Sequence, residues 1–282
     1  MIDKGTFMSI GKTRRTLLSI ALTGAGSLVV TMVAPALAQS TSDSGSRPRP
    51  LPDMLDYMVR TLGPPRQAQL VSAEEAATYK DCVPPRLIRF WQEHGRGSYL
   101  DGMYWICDPA PFRAVLDLVF KDDPEFDSAD MTAVSYTAFG DLKVWDRIRA
   151  NMIVHFATSQ VFCPRESSHI DQFTGKRFPD DYMIGTTVGI VKSQFAPSEL
   201  AFLAAAKERL GPLAAGEVYG FFPALQLGGA YAVENLRRVK AAEHFMLLAQ
   251  LAPMSLVELT QPEPPRFPYG RQKIVRQIGR QS

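Results

Sequence analysis

The chain has 282 residues, 46% of them hydrophobic and 21% charged, with 31 Lys+Arg against 29 Asp+Glu and a formal net charge of +2. It is long enough to bury one large core or two modest ones, and its charge is spread along the chain rather than in blocks. So even a balance gives no electrostatic case for nucleic-acid binding, whose affinity comes from neutralising phosphates.

In chain order, the N-terminus departs first. Lys4, Lys12, Arg14 and Arg15 precede an uncharged run from Leu17 to Ala34, followed by Pro35 and then Ala36-Leu37-Ala38. A basic start, an apolar middle and an A-x-A end are the layout of a secretory signal, so residues 1–38 are expected to be a signal peptide cleaved after Ala38. Thr13-Arg14-Arg15-Thr16-Leu17-Leu18 is similar to the twin-arginine signal, and starting at Met8 would keep it whole. An uncleaved membrane anchor is the other reading, because the uncharged run approaches the roughly 20 residues that span a bilayer. Removing residues 1–38 takes away four basic residues and one acidic residue (Asp3), leaving 27 against 28 and a net of −1.

Residues 39–50 (QSTSDSGSRPRP) read as a flexible linker. LPDMLDYMVRTLG and SAEEAATYK predict short helices, the second with Ser72 as cap. VPPRLIRFWQEHG predicts a helix opened by Pro84-Pro85 and stopped by Gly95. Tyr99 to Cys107 has strand composition around a turn at Asp101-Gly102. Phe112, Val115, Leu116 and Val119 mark a helix face. MTAVSYTAF, LKVW and MIVHFA read as strands, SSHIDQFTGKRFPDD as a loop and YMIGTTVGIV as a glycine-weakened strand. Pro197-Ser198-Glu199 opens a helix that Gly211-Pro212 closes, and a long helix is expected from Val233 to Leu251. Residues 259–282, Pro-rich and then basic, read as a mobile tail. The fold class is α+β, with helices around a central sheet of short strands in two closely packed subdomains.

Catalytic chemistry finds little footing. His94, His155, His169, His244 and Cys163 lack metal-ligand spacing, so no metal and no cofactor are expected. No serine sits in G-x-S-x-G, and HGRGSYLDG follows a helix rather than the strand a phosphate loop requires. Three cysteines (Cys82, Cys107 and Cys163) make no disulfide framework, though one bridge could form after export. In Phe139 to Asp146, strand alternation puts Leu142 and Val144 on one face and Lys143 and Trp145 on the other. Trp145 then either packs beneath a neighbouring loop or stands out as an anchor for a partner.

From Leu210 to Leu251 the order is a Gly-Pro turn, GE-x-YGF-x-PAL-x-LGG, and a helix ending AEH...LLAQL. It resembles the C-terminal immunity domain of type VI secretion immunity proteins of the Tdi kind. Upstream, PPRLIRFWQEHGRGSYLDGMYWICDP with AFGDLKVW resembles the GAD-like domain that precedes it in that family. The resemblance covers roughly Leu51 to Met254 and implies a GAD-like domain at 51–155 and a Tdi-type immunity domain at 156–258. It implies a non-catalytic protein that binds and silences a cognate toxin, typically a nuclease. It also implies that GEVYGFFPALQLGG (216–229) is scaffold, its aromatic and leucine side chains filling core and Gly220, Gly228 and Gly229 permitting turns.

A basic nuclease would meet an acidic patch, and Asp122, Asp123, Glu125, Asp127 and Asp130 form the densest acidic run. With Trp145 they are the candidate partner-binding residues. The export signal departs from a cytoplasmic nuclease antagonist: either the toxin works in the periplasm, where this protein is expected, or the chain has another binding task. Contact with membrane is expected only through an uncleaved signal. The rival reading is an exported enzyme or small-ligand binder using the cleft between the subdomains.

Overall fold

The computed structural model describes residues 51–164, 166–172, 174–259 and 272–279. The expected signal peptide, its cleavage site at Ala38 and the linker lie outside the described residues. Helix α1 (Met54–Leu62) starts where the Asp53 carboxylate accepts from the Leu55 and Asp56 N–H groups and ends at Gly63. Ser72 caps α2 (Ala73–Thr78), and α3 (Pro85–Glu93) has its first-turn proline and stops before Gly95, whose φ is +82°. The Asp53 and Ser72 side chains satisfy N–H groups that their helices leave open, while at α3 the proline itself suits a first turn, where an N–H would have no partner.

Strands β1 (Arg66–Gln69), β2 (Arg96–Tyr99), β3 (Tyr104–Ile106), β4 (Met131–Thr137), β5 (Asp141–Asp146), β6 (Ala150–His155) and β7 (Gln160–Phe162) form an antiparallel meander. Strand β10 (Ser255–Leu259) joins β7 in parallel, and β11 (Gln272–Gln277) closes that edge antiparallel to β10. Helix α4 (Arg113–Val119) buries Val115, Leu116 and Val119 as its spacing predicts.

Alternation along β5 decides which layer each side chain joins. Leu142 and Val144 enter a core with α4, α6 (Pro197–Leu210), α7 (Ala241–Leu251) and β8 (Glu217–Phe221). Trp145 enters the opposite core with α1, α3 and α5 (Asp180–Val188). The first core mixes residues of both expected subdomains: Phe245 stacks on Phe156 with ring centroids 4.4 Å apart and lies 6.0 Å from Phe112. The architecture is α+β, a nine-stranded mixed sheet covered on both faces and a small β8–β9 sheet beside it, β9 being Leu236–Lys240.

Three expectations are corrected. YMIGTTVGIV is helix α5, not a strand. Pro179-Asp180-Asp181 supplies a helix start, and the Thr186 and Thr187 hydroxyls donate to the Met183 carbonyl, so neither is left unsatisfied. Burial of Met183, Ile184 and Val188 then outweighs weak helix propensity. The helix expected from Val233 begins only at Ala241, because Leu236–Lys240 pairs with β8 instead. In the basic tail, residues 272–277 form β11 rather than mobile chain; residues 260–271 lie outside the described residues.

Candidate partner-binding site

The acidic run lies between α4 and β4, and most of its charge is already answered within the chain. Asp123 is the centre. Its carboxylate accepts from Arg276 Nη1 (2.6 Å) and Nη2 (2.9 Å), from the Gly279 N–H (2.8 Å) and from the Glu125 and Phe126 N–H groups (3.0 Å each). Burial alone would raise its pKa; Arg276 and the backbone donors outweigh that and hold it at about 2. Glu125 shares Arg276 Nη2 with Asp123, accepting from it at 2.9 Å, and faces Arg149 at 3.8 Å. The Phe126 ring lies between these cations, 5.3 Å from the Arg276 guanidinium and 4.6 Å from that of Arg149. Asp127 caps the short turn Ser128–Asp130 through the Ala129 N–H, and Asp130 pairs with Arg147. Asp122 is exposed.

Trp145 is 2% exposed and belongs to the core beneath α1, α3 and α5. It is therefore no surface anchor: the side chain that looked out of place on a polar strand face is covered by a helical layer. The same face carries a polar group further along. His155 Nδ1 is 2.7 Å from Asp141 Oδ1, Thr137 Oγ1 donates to Asp141 Oδ2 (3.2 Å), and Lys143 Nζ donates to the Thr187 carbonyl at the end of α5 (3.0 Å). Burial lowers the Lys143 pKa to about 8 against the opposing pull of Asp141.

The glycine-rich stretch divides in two. Val218, Tyr219 and Phe221 are buried as scaffold, and Gly220 lies within β8 with the His244 ring against it, where a Cβ would fall 2.5 Å from Nε2. That glycine serves close packing, not a turn. Burial depresses the His244 pKa to about 4. His244, Gly140, Gly220 and Gln226 line a cavity with room for about one water molecule. Beyond Phe221 the chain leaves the core, and Leu227 is 63% exposed and Tyr231 43%. The expectation that every aromatic and leucine of 216–229 fills core is corrected at Leu227; Tyr231 lies just beyond that stretch.

This segment is nonetheless fixed. Gln226 Nε2 donates to the Phe156 carbonyl (2.6 Å) and to Ser159 Oγ (3.2 Å), and Asn235 Nδ2 to the Ala230 carbonyl (3.0 Å). The Leu227 and Gly229 N–H groups donate to the Ala224 carbonyl at 2.9 and 3.1 Å. Tyr231 stacks on Phe202 with centroids 4.5 Å apart and lies 5.0 Å from Phe221.

Cys107 and Cys163 are poor nucleophiles. Cys82, Cys107 and Cys163 are unbridged; burial pushes the Cys107 thiol up, and Cys163 up to about 12. Among the described residues no group of three or more His, Cys, Asp or Glu is placed to hold a metal ion. In HGRGSYLDG the glycines serve the sheet: a Cβ on Gly97 would meet the Arg66 carbonyl at 2.6 Å.

Residues 53–158 match the family model described as GAD-like domain, and residues 194–252 the model described as T6SS immunity protein Tdi1, C-terminal. Comparison with curated proteins gives no match. Among solved structures, the crystal structure of Atu4351 from Agrobacterium tumefaciens is similar, with a TM-score of 0.64 and 23% identity. The alignment covers 79% of this chain and 97% of that one, a likeness of fold.

Proposed function

We propose, from a GAD-like segment followed by a Tdi1-type C-terminal segment, that this chain is a type VI secretion immunity protein that binds a cognate antibacterial toxin and neutralises it by occlusion. The observation that carries the reading is the order of the two family segments in one chain, packed on one shared core. Such a protein acts by covering the toxin, so its own chemistry is that of an interface: a few anchoring side chains set in a surface that excludes water.

If the toxin is a nuclease, its basic active site meets carboxylates on this chain. In the acidic run, Asp122, Glu125 and Asp127 are the exposed contributors. The signal-like residues 1–38 support a periplasmic site of action, with the toxin's target or passage there. The test is a C-terminal tag at the native locus, separation of periplasm from cytoplasm and identification of co-purifying protein. A stoichiometric partner that is toxic when expressed alone is the expected result. A clean monomer with no partner in either compartment refutes occlusion.

A further inference from the structure

Strand β9 is the open margin of the small sheet: among the described residues it pairs with β8 alone. Tyr219 lies opposite Arg238, and the Tyr219 N–H is spent on the Ala138 carbonyl (2.8 Å), on the side away from β9. Tyr219 and Arg238 therefore exchange no hydrogen bond, and both backbone groups of Arg238 point outward from the sheet. By the same alternation the Lys240 N–H points outward too. Among the described residues no backbone group meets either of them. The Leu236 carbonyl, one position earlier on that margin, accepts from Arg209 Nη1 (3.1 Å). Arg209 thus closes the first position, and the positions after it stay open.

The side chains along this margin are cationic. Arg237, Arg238 and Lys240 are exposed, and Arg209 stands at the head of the strand. Their answer within the chain is small. Arg238 and Lys240 share one carboxylate, Glu217, at 3.6 and 3.5 Å. Arg237 lies over the Phe222 ring at 5.0 Å, and Arg209 donates to the Val233 and Leu236 carbonyls (2.7 and 3.1 Å). Among the described residues neither of these arginines makes an ion pair, and Glu208, Glu234 and Glu243, close by in sequence, form none with the strip. The margin therefore combines free main-chain donors and an acceptor with positive charge in excess. A second copy of this chain is a poor occupant, since pairing β9 with itself sets arginine against arginine. Nucleic acid or an anionic membrane would use the charge and leave the outward N–H and C=O groups idle.

We infer that an extended, acidic segment of the toxin adds to β9 as a third strand, its backbone bonding to Arg238 and Lys240 while its Asp or Glu side chains meet Arg209, Arg237 and Arg238. Strand addition takes its affinity from main-chain bonds and its choice of partner from side chains, so this margin selects an acidic sequence. This assignment rests on the immunity reading above and adds the surface and the partner chemistry to it.

The probe is the toxin recovered with the tagged chain, purified in inactive form, and the readouts are affinity by calorimetry at two salt concentrations and amide hydrogen exchange. Arg238→Pro removes an outward N–H and a charge while the β8 ladder keeps its own bonds; Arg238→Gln removes the charge alone. The proline variant is expected to weaken binding about 10- to 100-fold, because the incoming strand's carbonyl is left without a donor. The glutamine variant is expected to weaken it about 3- to 10-fold and to flatten the salt dependence. In the wild-type complex the Arg238 and Lys240 amides should exchange about tenfold or more slowly than in the free chain. That measurement needs no variant, which guards against a folding defect of the proline chain. Toxin that binds without slowing these two amides overturns strand addition and leaves the immunity reading standing. Equal losses on Arg238→Gln and Arg238→Pro overturn it in favour of a contact made by charge alone. Loss on Ile274→Asp instead, with both Arg238 variants intact, overturns it in favour of the β11 edge. A wild type that captures no toxin overturns both inferences together.

Discussion

Arg276→Met tests whether the C-terminal strand is fastened by charge or only by its hydrogen-bonded ladder. In the native chain Arg276 makes two bonds to Asp123 and one to Glu125, and its side chain is largely covered. Asp123 is held at about 2 against an ordinary 3.8, a difference of about 1.8 pH units, or about 2.4 kcal/mol at 1.36 kcal/mol per unit. The Gly279, Glu125 and Phe126 N–H groups supply part of that difference and stay in the variant, so the share of Arg276 is about 1–2 kcal/mol. Because the folded pKa is depressed, that stabilisation is complete above pH 4 and disappears as pH falls through about 2. Arg276→Met should therefore lower Tm at pH 7 by about 2–8 °C, given about 2–4 °C per kcal/mol for a chain of this size. It should also remove part of the acid-dependent loss of stability between pH 4 and 2. Urea unfolding of wild type and variant at pH 7, 4 and 2.5 measures both. A variant with unchanged midpoint at pH 7 and the same acid dependence as the wild type would show that the clamp contributes nothing and that the ladder alone holds β11.

Other outcomes follow from neighbouring features. His244 is buried with its pKa near 4, so between about pH 6.5 and 4 the unfolded chain takes up a proton that the folded chain refuses, and stability falls as pH falls; His244→Gln should flatten the urea midpoint across that window. Trp145→Ala should cost about 3–5 kcal/mol of stability by leaving a cavity in the core under α5, and toxin affinity of the protein that remains folded should be unchanged. Replacing Arg14 and Arg15 together by lysine should leave the protein in the cytoplasmic fraction if the signal-like segment uses the twin-arginine route; unchanged periplasmic recovery would refute that route.

Much of the fold could be read where local chemistry and tertiary environment agree. Ser72 and Pro85 start their helices in the structure as their residue types demand, and the β5 alternation assigned Leu142 and Val144 to one layer correctly. Reading failed where packing decides. YMIGTTVGIV has the composition of a strand, and only its burial against the sheet and α1 makes it a helix. Leu236–Lys240 has helical neighbours and pairs with β8 because the strand partner lies there. The partner site was the least legible part. The acidic run was visible as charge, but its arginines come from as far away as position 276, and no local pattern shows that they answer it. Leu227 sits in an apolar stretch where Val218, Tyr219 and Phe221 are core, so composition gave it the same role; only its exposure separates it.

The parallel pairing of β7 with β10 has a consequence for how the chain matures. Strands β1 to β7 are complete by residue 162, yet β7 waits for a neighbour made more than 90 residues later. During synthesis the growing sheet therefore presents a naked margin at β7, the kind of edge that recruits strands from other molecules. The core under it is also unfinished until Leu203, Tyr219 and Phe245 arrive. A nascent chain of this design needs guarding until its far end emerges, and a fragment ending near residue 162 should aggregate rather than behave as an independent domain.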